Sequence, residues 1–133
     1  MLEAISPEGW KRGRGYSHAI RAGGRISVAG VLPWDPATRE IPEQDFAGQW
    51  SRALRNLVDL LRSAGVDADR VVALRVYVTD LDAYNAAGAG LADGWSASFG
   101  SHFPAITLVE VSRLVEPGAL VEIEAEALDA ENA

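Results

Sequence analysis

The sequence predicts an α+β domain in which two helices cover one face of a mixed sheet. Three observations predict it: an apolar stripe at helical spacing in the middle of the chain, β-branched runs on both sides of it, and strict period-two alternation near the C-terminus. With 133 residues, 48% of them hydrophobic, the chain has the size and apolar content of one domain with a substantial core. No repeat, low-complexity tract or linker divides it, so a single domain over 1–133 is expected.

Residues 16–22 (YSHAIRA) and 25–31 (RISVAGV) read as two strands joined at Gly23-Gly24, a dipeptide that accepts the positive φ of a tight hairpin. LPWDPATREIP then brings three prolines and reads as a shaped loop. From Asp45 to Ala64 the residues Phe46, Trp50, Leu54, Leu57 and Leu61 recur every three or four positions, which predicts a helix with Gly65 at its C-terminal cap. VVALRVYVTD (71–80) predicts a strand. A second helix is expected after Asp82 as its cap, with Tyr84, Leu91, Trp95 and Phe99 inward, although Gly88, Gly90 and Gly94 each cost it about 1 kcal/mol relative to alanine. Strands at 105–112 and 119–128, joined by Glu116-Pro117-Gly118, complete the order β-β-α-β-α-β-β.

Composition excludes several functions. There is no cysteine, hence no disulfide, thiol nucleophile or thiolate metal site. The net charge of −7 repels polyphosphate, so no nucleic-acid partner is expected, and KRGRG at 11–15 reads as a solvated loop. No apolar run approaches the ~20 residues of a membrane span, and MLEAISPEGW has no signal-type apolar core, so no membrane association and a cytoplasmic location are expected. His18 and His102 lie far apart with no zinc-type spacing, and no serine sits in a nucleophile elbow.

The strand faces are unusual. In LVEIEAEAL, Val121, Ile123, Ala125 and Ala127 point one way, and Glu122, Glu124 and Glu126 the other. A row of carboxylates ordinarily faces water. The companion strands are less polar: Ile106, Leu108 and Glu110 share one face of 105–112, while Val71, Ala73, Arg75 and Tyr77 share one face of 71–79. Such a mixed surface suits contact between subunits, with Arg75 available to neutralise an acid.

VAGVLPWDPATREIP, LLRSAG, LRVYVTDLDAYN and above all HFPAITLVEVSRLVEPGALVEIEAEA, over nearly the whole chain, resemble the reactive intermediate deaminase (Rid, YjgF-like) family. The resemblance implies a chorismate-mutase-like layered domain, a homotrimer with clefts between subunits, and hydrolysis of enamines and imines to ketones and ammonia without metal or cofactor. Glu122 corresponds to the family's water-activating glutamate, and Tyr16 to a tyrosine lining the cleft. His18 has the same facing parity as Tyr16. The family's arginine after Pro-Ala, which grips the substrate carboxylate, is Ile106 here, and its neighbouring small polar and sulfur residues are Thr107 and Leu108. The family's glutamine after the strand glycine, Gly30, is Val31, and its second-helix asparagine is Gly88.

Isoleucine offers a carboxylate nothing, so a non-standard subgroup with a more apolar pocket is expected, built from Ile106, Val31, Leu108 and Trp34 around a desolvated Glu122. Arg14 or Arg21 remains as a possible replacement charge. The expected activity is acid–base chemistry on a small reactive enamine or imine that lacks a compact carboxylate beside the reacting carbon. A pathway-specific isomerase or cyclase, or a trimer that binds a metabolite without turnover, stays open.

Overall fold

The computed structural model describes residues 2–129. Six strands, β1 (Glu3–Ile5), β2 (Ala19–Ala22), β3 (Arg25–Val31), β4 (Val71–Val78), β5 (Ala105–Glu110) and β6 (Val121–Leu128), form one sheet in the order β1-β2-β3-β6-β4-β5. All neighbours are antiparallel except β4 and β5, which are parallel. A parallel pair needs a long crossover, and α2 (Leu81–Ala86) and α3 (Ala89–Phe99) supply it. With α1 (Phe46–Ser63), these helices lie on one face of the mixed sheet, as expected.

Helix α1 begins where Asp45 accepts from the Gly48 amide, and it ends in a Schellman motif. Gly65 takes φ 80°, its N–H reaches the Arg62 carbonyl, and the Val66 N–H reaches that of Leu61. The inward stripe of Phe46, Trp50, Leu54, Leu57 and Leu61 is buried against Val121, Ile123, Ala125 and Ala127 and their neighbours on β3 and β4.

Four details depart from the sequence reading. A short edge strand, β1, pairs with β2. The second helix is two helices, broken at Gly88 (φ 56°), and its cap is Asp80, whose carboxylate accepts from the Ala83 amide, rather than Asp82. The β4–β6 register slips between Val71 and Ala73, so Val71 is buried and Val72 exposed, the reverse of simple alternation. Residues 16–18, 79–80, 111–112 and 119–120 stand outside the strands assigned to them.

Two buried amides tie loops to α1. Asn56 donates to the carbonyls of Leu32 (3.0 Å) and Trp34 (2.8 Å), fixing the exit from β3. Gln49 donates to Glu43 and Gly118 carbonyls and accepts from the Leu120 amide at 2.7 Å, fixing the entry to β6. Both are buried, and each satisfied amide avoids the 1–3 kcal/mol that an orphaned buried polar group costs, roughly.

Candidate functional site

The sheet face away from the helices carries Ser27 on β3, Glu122, Glu124 and Glu126 on β6, and Arg75 and Tyr77 on β4. The three glutamates share a strand and a face but not a fate. Glu126 accepts from the Ser27 hydroxyl at 2.9 Å and lies 3.6 Å from the Arg25 guanidinium. Glu124 accepts a short hydrogen bond from the Tyr77 hydroxyl and lies 4.0 Å from Arg75. Glu122 has neither a hydrogen bond nor an ion pair among the described residues.

Local backbone explains the difference. The β3–β6 ladder pairs Val28 with Ala125 and then Val31 with Ile123, so β3 holds one extra residue, a bulge at Ala29-Gly30. Gly30 therefore lies beneath Glu122. A β-carbon there would stand 2.5 Å from Glu122 Oε2 and 2.7 Å from its carboxyl carbon. The carboxylate rests on bare backbone, half-buried. Burial first, and the Glu124 charge second, push its pKa above the ordinary carboxylate range. Tyr77, opposite Glu122 in register, is also pushed up, chiefly by its bond to Glu124.

The same bulge moves Val31 away. In an unbroken ladder it would oppose Glu122; instead it opposes Ile123 and is buried in the core, so it does not line the site. Ile106 and Leu108 register with Leu74 and Val76, on the helix side of the sheet, where Leu108 packs on the core and Ile106 is half-exposed. Within one chain they cannot meet Glu122. Thr107 faces the glutamate side but aligns with Arg75 and Glu124; Val109 is the β5 residue in line with Glu122, two strand spacings or about 10 Å away.

A second constellation forms beside β3. The Lys11 amide donates to the Pro36 carbonyl (2.8 Å), docking the N-terminal segment on the turn 35–40. His18 is buried between the edges of Trp10 and Tyr16 and donates from Nε2 to the Lys11 carbonyl at 3.1 Å. That makes His18 a brace behind Tyr16. The His18 carbonyl accepts from the Ala29 amide, which ties this segment to the bulge.

Arg39, which the sequence reading did not single out, completes the group. It closes the turn with φ 65°, a left-handed conformation that costs a non-glycine residue about 1–2 kcal/mol. Its guanidinium lies 4.7 Å from the centroid of the Trp34 ring and donates from Nη2 to the Tyr16 hydroxyl at 3.0 Å. Trp34 is buried with Leu32 and Ala119, and its Nε1 has no partner among the described residues. The candidate replacement Arg21 is committed elsewhere, to Glu3, Asp129 and the Ala64 carbonyl. Arg14 is exposed.

The model of the family described as endoribonuclease L-PSP matches residues 10–129. The chain belongs to the Rid/YjgF family. A RutC family protein of Pyrococcus abyssi is 40% identical over 83% of each chain. The human 2-iminobutanoate/2-iminopropanoate deaminase is 29% identical over 85% of this chain and 79% of its own. Among solved structures, the Rid family protein YyfA of Yersinia pestis superposes with a TM-score of 0.83 at 31% identity, over 96% of this chain and 99% of that one. The family thus includes imine deaminases, and this Rid protein has the family's fold. Among the described residues no histidine–carboxylate group could hold a metal ion, and no helix is long and apolar enough to cross a membrane.

Proposed function

We propose that this Rid protein is a cofactor-free enamine or imine hydrolase with Glu122 as its acid–base residue. The observation that carries the reading is the half-buried, unpartnered carboxylate on the Gly30 shelf, beside two glutamates of the same strand that are fully engaged. A carboxyl whose pKa is raised by burial holds and passes a proton more readily than an ordinary ionised glutamate. An enamine is first protonated at carbon by Glu122 in its acid form, which gives an iminium ion and leaves the carboxylate ionised. Glu122 then takes a proton from water as the oxygen attacks the C=N carbon, giving a neutral carbinolamine. It returns that proton to nitrogen and takes the hydroxyl proton as the C–N bond breaks, so ketone and ammonia leave.

The open glutamate face and the free edge at β5 support a homotrimer in which a second copy closes the cleft, since one chain cannot bring Ile106 or Leu108 to Glu122. Those side chains carry no charge, so a carboxylate directly beside the reacting carbon finds no cation on that wall. The same lack favours a second reading, binding of a small metabolite without turnover. RNA as substrate is disfavoured by the net charge of −7.

Turnover of a panel of enamines and imines, generated in situ, tests this. Neutral members and those with a remote carboxylate should be hydrolysed, and Glu122→Gln should lose roughly 10²–10⁴-fold. A variant at wild-type rate removes Glu122 from the chemistry; no turnover by wild type leaves the binding reading; and equal use of small 2-imino acids overturns the account of Ile106.

A further inference from the structure

The turn carrying Arg39 holds a non-glycine residue in a strained conformation. Arginine occupies a left-handed position that glycine would take without strain. Arg25, Arg52, Arg62 and Arg75 each face a carboxylate, and Arg21 faces two, in a chain with nineteen acidic residues. Arg39, like Arg12, Arg14, Arg55, Arg70 and Arg113, faces none among the described residues, but of these it is the one seated over aromatic rings. Its Nη2 donates only to neutral oxygens, those of Tyr16 and of Lys11 (3.3 Å), and its Nε is buried without an acceptor. The Trp34 ring beneath it is 96% buried and also has an unmatched N–H.

A guanidinium without a carboxylate partner, fixed on an aromatic face, is an arrangement that binds an anion with little reorganisation. Because Arg39 donates to the Tyr16 oxygen, the tyrosine's own O–H stays available for the same ligand. Tyr16 is half-exposed and lies two residues before His18, whose carbonyl is bonded to the bulge under Glu122.

We propose that Arg39, with Tyr16, is the anion seat of the cleft, and that the substrate carries a carboxylate held apart from its C=N carbon. This assignment rests on the reading of Glu122 as the acid–base residue and adds the substrate's second handle. The ligand class is a small carboxylic acid whose reacting carbon lies toward Glu122 while its charge lies on Arg39.

Glutarate, with neutral glutaramide as control, probes the seat through the Trp34 indole N–H resonance, assigned by its loss in Trp34→Phe. Glutarate should shift that resonance saturably in wild type and glutaramide should not. Arg39→Gly, which suits the φ of 65°, should fold at least as well and bind glutarate at least tenfold more weakly, with Arg39→Lys between. Equal binding by Arg39→Gly, or no saturable shift in wild type, overturns the proposal. Glu122→Gln separates the two readings: it should keep glutarate binding while losing turnover. If it stays active while Arg39→Gly loses binding, the assignment of Glu122 as the acid–base residue fails and the anion seat stands.

Discussion

The two ends of β6 make an instructive pair. At the Glu124–Glu126 end, the flanking strands place Ser27 and Arg25 within reach of Glu126, and Tyr77 and Arg75 within reach of Glu124. At the Glu122 end, one extra residue in β3 replaces a side-chain partner with the bare backbone of Gly30. The strand's own sequence is nearly the same at both ends. What separates an engaged carboxylate from an unpartnered one is the neighbouring strand, which decides whether the carboxylate finds a donor.

The strongest way to break the comparison is Glu122→Gln set against Glu124→Gln: loss of roughly 10²–10⁴-fold is expected for the first and little change in turnover for the second. Gly30→Ala comes next. The added methyl would displace the carboxylate that lies 2.5 Å from its position, so turnover should fall by about 10–100-fold. The melting temperature should change little, because only the end of a flexible side chain must move. Parallel loss of stability and activity would show that Gly30 matters to the strand rather than to the site.

Stability against pH sharpens the contrast further. Because the folded state raises the Glu122 pKa, it holds that proton more tightly than the unfolded chain does. Stability due to this group therefore falls as pH rises from the ordinary carboxylate range through the raised value. Glu122→Gln should gain on wild type in melting temperature across that window; a constant difference between the two would mean the carboxyl is not desolvated. The smallest effect is expected from Tyr77→Phe. It removes a donor from Glu124, costing about 1 kcal/mol by chemical denaturation, and leaves turnover nearly unchanged.

Much of this architecture is legible in the sequence because it depends on local period. The α1 stripe and the alternation of β6 fall where they are expected. What is not legible depends on approach between distant segments. Gly90 and Gly94 count against a helix by propensity, yet in place they let α3 meet α1: a β-carbon at Gly94 would stand 2.4 Å from Ser51 Oγ. The bulge that buries Val31 and bares Gly30 is a mismatch between two strands, invisible in either alone. Glu122 was legible through family likeness, whereas Arg39 was not, because its stacking on Trp34 arises only when the turn folds back.

The Gln49 amide has a consequence for how this protein can diversify. It holds the Leu120 amide, two residues before Glu122, directly to α1. The groove of about 670 Å³ lined by Thr79 and residues 112–119 reaches up to that fastening, where Gln49 also holds the Gly118 carbonyl. Ahead of Gly118 its loop, where Val115 is almost wholly exposed, can change length and character while Gln49 still holds the start of β6. A lineage can therefore rebuild this rim while Glu122 stays where the helix keeps it.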